Sequence, residues 1–463
     1  MASLVPRLMI ASIQGRSGKT TITTGLCAAL RKRGFSVQPF KKGPDYIDPS
    51  WLAAAAGRSC RNLDIFLMGE EGVQASFRRA CKGADIAVIE GAMGLYDGPY
   101  PDGRGSSADL ARLLQVPVIL LVNASRMTRS VAAMVTGCQT FEPDIAIAGV
   151  ILNHVAGRRH EHKLVTAVEG YCNIPVLEVV PRDVSLQISE RHLGLVPFKE
   201  GTDAVGHIER IRRQLEECLD LDRILNVAEG AEKCVLAERD SIDGQGESKV
   251  RIGVVFDKAF NFYYPENLEV LCYAGAELVV IDSLRGRSMP KVDALYIGGG
   301  FPEFFLKELE GNGELRQEIA EAVERGMPVY AECAGLMYLC RTISWQDRSH
   351  EMVGAIPADV ELCERPQGHG YVEAEVVEEN PLLPLGMIVR GHEFHHSRLS
   401  TFDTLKSVYR LRRGRGIDGE RDGVLYKNVF ASYMHVHALG TPGWAEGLVS
   451  MASRDKGCRE IAA

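Results

Sequence analysis

A strand-like run, Arg7 to Ser12, leads into Ile13-Gln14-Gly15-Arg16-Ser17-Gly18-Lys19-Thr20-Thr21, and helical periodicity then continues to about Arg33. A glycine-rich turn between a strand and a helix aims backbone N–H groups at phosphate oxygens. Gly15 and Gly18 permit the turn, Ser17 and Thr21 flank it, Lys19 can neutralise the β- and γ-phosphates, and the Thr20 hydroxyl can ligate Mg2+. Ile13 stands where the general phosphate-loop pattern has glycine. The assignment therefore rests on the strand-to-helix context.

Carboxylates follow. Lys41-Lys42-Gly43-Pro44-Asp45-Tyr46-Ile47-Asp48-Pro49 carries two acids three residues apart, stiffened by prolines. Glu90 ends an apolar strand, and Asp97 lies in the glycine-containing loop after it, 91–98. Each alone reads as a solvated turn. With a phosphate loop, they suggest metal-assisted phosphoryl transfer.

A second constellation lies far downstream. Met327 to Cys333 is an apolar strand ending in a thiol, and Ala334-Gly335-Leu336-Met337-Tyr338 starts a helix. A nucleophile on such a turn is exposed, the helix dipole favours thiolate, and the next backbone N–H can hold an oxyanion. Cys340 and Cys272 read as core. About 100 residues on, His435 and His437 are spaced to share one face of an extended segment, so one can take the thiol proton while the other orients it. Gly299 and Gly300 end another strand and can bring N–H groups to the same oxyanion as Ala334. The cluster His392-Glu393-Phe394-His395-His396 departs from H-E-x-x-H and reads as a polar strand rather than a zinc site.

These groups must be positioned by alternating strands and helices. Strand-type runs at 7–12, 84–91, 116–124, 145–155 and 174–181, with intervening helical periodicity, imply a parallel sheet. The rhythm restarts with strands at 251–257, 276–282, 292–300 and 327–333, and helices near 264–274, 303–326 and 334–341. The fold class is α/β, with an ATP-binding domain over 1–222, a linker over 223–249 and a second α/β domain over 250–463. The length, 463 residues, accommodates two such cores, and a composition of 46% hydrophobic and 25% charged residues is globular. A net charge of −8 gives no reason to expect nucleic acid, and no apolar run is long enough for a membrane span. The 12 cysteines are sparse and lack C-x-x-C pairs, which fits a reducing cytoplasm.

Together these segments resemble the glutamine-dependent cobyrinic acid a,c-diamide synthase family. The landmarks are SGKTT (17–21), KKGPDYIDP (41–49), RNLD (61–64), VIEGAMGLYDG (88–98), GVILNHV (149–155), VPRD (180–183), ERHLGLVP (190–197), GGGFPE (298–303), AECAGLMYL (331–339), RGHEFHHSR (390–398) and SYMHVH (432–437). The resemblance implies a phosphate-loop domain similar to dethiobiotin synthetase, joined to a class I glutamine amidotransferase domain. It implies ATP and Mg2+ as cofactors, glutamine as nitrogen donor and a tetrapyrrole carboxylate as acceptor, with a homodimer as a possible assembly. Cys333 would attack glutamine and His435 would shuttle protons. Thr20, Asp48 and Glu90 would hold Mg2+; Asp45, Tyr46 and Asp97 would handle substrate and acyl phosphate; Asn153 would read adenine.

The chain departs from related patterns at several positions. His437 stands where many class I amidotransferases have glutamate, Ala334 where glycine is usual, and Asn123 where aspartate is expected. Lys42 and Trp51-Leu52 differ from relatives beside the GPDYIDP segment. Another tetrapyrrole, such as nickel-sirohydrochlorin or sirohaem, is the alternative acceptor. A phosphate-loop ATPase switch with a C-terminal binding module is the reading from a different class.

Overall fold

The structure, a computed structural model, describes residues 5–188, 190–191, 194–201, 203–231, 249–400 and 405–462. The chain divides into two compact units, Met1–Arg239 and Asp240–Ala463.

In the first unit, seven strands form one wholly parallel sheet: β1 (Arg7–Ser12), β2 (Val37–Lys42), β3 (Arg61–Leu63), β4 (Ile86–Glu90), β5 (Val118–Asn123), β6 (Ile147–Val155) and β7 (Val176–Pro181). Their order is β3-β2-β4-β1-β5-β6-β7, so β1 is central and its C-terminal end feeds the phosphate loop. Every residue of β1 and β4 is buried, as expected for strands covered by helices on both faces. Buried Arg7 is satisfied because its Nε and Nη2 donate to the carbonyls of Leu114 and Gln115, at 3.0 and 3.1 Å. Those carbonyls end helix Ser107–Leu114, where positive charge is favoured. A short hairpin, β8 (Glu190–Arg191) with β9 (Gly194–Leu195), follows.

The expected linker 223–249 begins inside a helix. Leu221–Glu229 is helical, capped by Asp220, whose carboxylate accepts from Asp222 and Arg223 N–H groups. Leu221, Ile224 and Ala228 are buried in the core of the first unit. This one apolar stripe is too short to show in a periodicity reading, and packing stabilises it. Residues 232–248 of the expected linker lie outside the described residues.

The second unit holds a ten-stranded mixed sheet and a small four-stranded one. Its strands are β10 (Val250–Val255), β11 (Ala276–Ile281), β12 (Ala294–Ile297), β13 (Val329–Glu332), β14 (Thr342–Trp345), β15 (Arg348–Glu351), β16 (Asp359–Leu362), β17 (Gly368–Val376), β18 (Ile388–His395), β19 (Ser397–Ser400), β20 (Lys406–Arg413), β21 (Arg421–Tyr426), β22 (Val429–Ser432) and β23 (His435–Val436). The large sheet runs β11-β10-β12-β13-β22-β21-β20-β17-β18-β23, parallel from β11 to β22 and antiparallel beyond. The small sheet runs β15-β14-β16-β19.

The helix expected over 303–326 is interrupted, because Leu306–Gly311 and Gly313–Glu324 are separate helices. Asn312 breaks them, and its amide donates to the Ser283 and Gly286 carbonyls at 2.8 and 2.7 Å. Cys340 is core, whereas Cys272 is only half-buried. Among the described residues no helix is long and apolar enough to cross a membrane.

Candidate functional site

The phosphate loop forms as its spacing predicts. Gly18 takes φ 93°, and a Cβ there would meet Asn153 Nδ2 at 2.5 Å. Glycine is therefore required both by conformation and by the close approach of β6. Asn153 Nδ2 donates to Ser17 O at 2.9 Å, and its Oδ1 accepts from His154 N. Asn153 thus braces the loop, a role the sequence did not disclose. Ser17 Oγ donates to Gln14 O at 2.9 Å. Gly15 sits in open space at the loop, and Thr21 lies partly exposed in the first helical turn.

Lys19 Nζ donates to Ser12 Oγ and Met93 O, both at 2.8 Å. Lys19 thereby ties the glycine turn to the loop 91–98. Burial, and then Lys41 nearby, pushes its pKa down to about 8.

A charged cluster lies beside it. Thr20 Oγ1 donates to Glu90 Oε1 at 2.8 Å. Lys41 Nζ donates to Asp48 Oδ2 at 2.6 Å and to Glu90 Oε1 at 2.7 Å, and lies 3.9 Å from Asp45 Oδ2. Strand register makes this possible, because Lys41 on β2 pairs with Glu90 on β4. Burial would raise the Asp48 carboxyl, but the Lys41 ammonium outweighs it and holds Asp48 low. Burial keeps Glu90 raised despite the same ammonium. Asp45 is raised by burial and by Asp48. Its Oδ1 accepts from the N–H groups of Ile47 and Asp48, starting helix Ile47–Ala56. Tyr46 is half-buried at that N-cap. Asn62, of the RNLD segment, donates to the Gly43 and Asp45 carbonyls at 2.8 and 2.6 Å and fixes the acidic turn. Asp97 is exposed and accepts from Gly94 N at 2.8 Å.

In the second unit Cys333 follows β13 in a strained turn, φ 49° and ψ −102°, as a nucleophile elbow requires. Its N–H donates to Ser432 O at 2.7 Å, anchoring the turn to β22. Gly335 is needed after it, because a Cβ there would lie 2.2 Å from Ile297 O. Ala334 N–H faces the sulfur, yet burial dominates and pushes the thiol well above its ordinary pKa. Desolvation thus opposes the thiolate that the helix dipole favours. Cys333 needs a base.

His435 lies against the segment that follows β12, with the position of a Gly299 Cβ 2.4 Å from His435 Cε1. Only glycine admits the imidazole there. Gly300 approaches so closely that a Cβ would lie 1.9 Å from Ala259 O. His437 is engaged by other groups. It caps the turn Ala438–Gly440 through Nδ1, lies tilted against Tyr264 with ring centroids 4.7 Å apart, and presents Nε2 to Glu266 Oε2 at 3.7 Å. β23 ends at Val436, and His437, still extended at φ −106° and ψ 125°, is held by Leu439 N–H and Glu266.

The cluster 392–396 is the strand β18, with His392, Glu393 and His395 buried. Glu393 accepts from Arg415 and Gly416 N–H groups at 2.5 and 2.7 Å, and His395 stacks on Tyr433 at 3.8 Å. These contacts serve the fold around the site. Sequence reasoning passed over Lys41, Glu332 and Glu266. The signal for the first two was charge at buried strand ends beside the named motifs.

Residues 8–196 match the family described as CobQ/CobB/MinD/ParA nucleotide binding domain, and residues 251–442 match that described as CobB/CobQ-like glutamine amidotransferase domain. The cobyrinate a,c-diamide synthase of Magnetococcus marinus is 45% identical over 447 residues, covering 95% of this chain and 96% of the relative. That of Methanosarcina acetivorans is 42% identical, covering 99% and 97%. That of Archaeoglobus fulgidus is 41% identical, covering 98% of each chain.

Proposed function

The chain belongs to the cobyrinate a,c-diamide synthase family, and on that premise we propose that it amidates the a- and c-acetate carboxylates of cobyrinic acid in cobalamin biosynthesis, using ATP and glutamine. The ligase chemistry is assigned to residues 1–222 and the glutaminase to 250–463. The observation that supports it best is the presence in one chain of a phosphate loop beside acidic groups and of a thiol on a strained elbow directly after Glu332, whose carboxylate lies 3.5 Å from His435. A nucleotide switch has no use for the second of these.

At the elbow, Cys333 Sγ attacks the glutamine side-chain carbonyl and passes its proton to His435. The developing oxyanion is met by backbone N–H groups, with Ala334 and the Gly299–Gly300 segment as candidates. His435 returns the proton to the leaving nitrogen, ammonia departs, and water cleaves the thioester to glutamate. In the first unit, a substrate carboxylate oxygen attacks the γ-phosphorus and ADP leaves. The carboxylate itself resists ammonia because its leaving group is oxide. The acyl phosphate offers phosphate instead, so ammonia attacks its carbonyl and forms the amide. Lys19 and the loop N–H groups compensate the phosphate charge. Asp45, Tyr46 and Asp97 are assigned to the substrate carboxylate and acyl phosphate, and Asn153 to the adenine.

A Mg2+ ion fits this site. Thr20, Asp48 and Glu90 supply the hard oxygen donors such an ion takes, and they already surround a cation, the Lys41 ammonium. Glu90 Oε2 is buried with no hydrogen-bond partner among the described residues. Bound there, the ion would supply charge neutralisation for the transferring phosphoryl group.

Incubating the purified protein with ATP, glutamine and, separately, cobyrinic acid, sirohydrochlorin, its nickel form and sirohaem tests the assignment by product mass. Mono- and diamide from cobyrinic acid are expected. Amide from another macrocycle alone moves the acceptor, and ATP turnover indifferent to glutamine and to every macrocycle removes the ligase reading.

A further inference from the structure

The glutaminase reading leaves His435 without the carboxylate that holds a catalytic imidazole in the working tautomer and stabilises its cation. The residue two positions on is His437, and Glu266 faces that ring instead. The structure supplies another acid. Glu332, immediately before the nucleophile, is fully buried at the end of β13. Tyr330 Oη and Tyr296 Oη donate to it at 2.9 and 3.2 Å, and Val436 N–H donates at 3.1 Å. Its Oε2 lies 3.5 Å from His435 Nδ1, the separation of a close pair rather than a formed hydrogen bond. Such contacts tighten as the reacting complex forms.

The rest of the environment is consistent with one role. His392 stacks on His435 at 4.9 Å, and Tyr264 lies within 3.3 Å of His392 Nδ1. Burial, with His435, His437 and His369 nearby, holds His392 well below the usual imidazole range, so the stack adds no positive charge. Asp422 accepts from Tyr433 and Met434 N–H groups and fixes the backbone entering β23. Glu303, like Glu332 and Asp422, raises the Cys333 thiol. Glu332 is the carboxylate placed at Nδ1.

We infer that Glu332 is the positioning residue of the glutaminase site, presenting its carboxylate to His435 Nδ1 from the residue before the nucleophile. Nδ1–H then faces Glu332, and Nε2 takes the Sγ proton as the S–C bond forms. The same proton leaves with the departing nitrogen when the C–N bond breaks. The arrangement rests on the Cys333–His435 reading.

Glu332→Gln keeps the shape and removes the charge. The expected result is a fall of about 100-fold in glutaminase kcat with KM for glutamine within about twofold. The acidic limb of the pH profile moves down by about one unit, because the imidazolium has lost its anion. Ammonia-dependent amidation and Tm stay at wild-type values. An unchanged kcat and pH profile overturns the inference. Equal loss of glutamine- and ammonia-driven amidation with a lowered Tm also overturns it, since Glu332 would then be only a core pillar. If Glu332→Gln does not fold, Glu332→Asp reads the same point: kcat falls while the acidic limb stays in place, and a displaced limb counts against the role. Cys333→Ala run alongside separates the two levels. If that variant keeps full glutaminase activity, the underlying site reading fails instead.

Discussion

The ammonium of Lys41 lies 2.7 Å from Glu90 Oε1, both groups buried, at the spot where Thr20 and Asp48 also converge. A monocation therefore neutralises the oxygens that a divalent ion would use. The cluster is balanced as it stands, and any change at Lys41 leaves carboxylates buried without a counter-charge.

Lys41→Met is expected to lower stability in the absence of divalent cation by about 3–5 kcal/mol, the cost of breaking a buried pair from one side. Added Mg2+ should raise the Tm of the variant more than that of the parent, because the competing ammonium is gone. Thermal unfolding with and without the ion checks this, and an equal shift in both proteins would show that Lys41 and the ion do not share these oxygens.

Gly299→Ala places a methyl group where His435 Cε1 is now 2.4 Å away. The imidazole must move, and misplacement on this scale costs roughly 100-fold in rate. Glutamine-dependent amidation should fall by that factor while amidation from ammonia persists. A single steady-state comparison of the two nitrogen sources decides it.

Burial pushes the Cys333 thiol above its ordinary value, so its thiolate fraction is still rising at pH 9. Alkylation by iodoacetamide in the absence of glutamine should then increase about tenfold per pH unit through that range, with no plateau near the free-thiol value of about 8.5. Mass spectrometry of the Cys333 peptide follows the rate. A plateau below pH 8 would mean that a neighbouring cation has already ionised the sulfur.

Cys333→Ala should abolish amidation from glutamine and leave amidation from ammonia. Lys19→Ala should abolish both and spare part of the glutaminase activity. Normal amidation by the Lys19 variant would remove the phosphate-loop assignment, and loss of both nitrogen sources in the Cys333 variant would argue against separate sites.

Local order was legible from the residues alone. Strand β1, the glycine turn and the helix after it are contiguous, so Gly18, Lys19 and Thr20 could be assigned from their spacing. Cys333 was legible for the same reason, since its strand, turn and helix adjoin. Periodicity missed the helix Leu221–Glu229, whose single apolar stripe has meaning only against a core already built.

What folding alone decided were pairings across long stretches of chain. Lys41 meets Glu90 because β2 and β4 are in that register, although the two residues are 49 positions apart in sequence. Glu332 meets His435 because β13 pairs with β22, which sets Glu332 opposite Ser432 three residues before His435, and Glu332 also accepts from the Val436 N–H 104 residues away. His437 faces Glu266, a partner from the distant helix Pro265–Tyr273. Sequence spacing reports which residue types stand at strand ends. Which ends become neighbours, and whether a buried charge finds its partner there, is set by sheet order and by the cost of leaving such a charge unpaired.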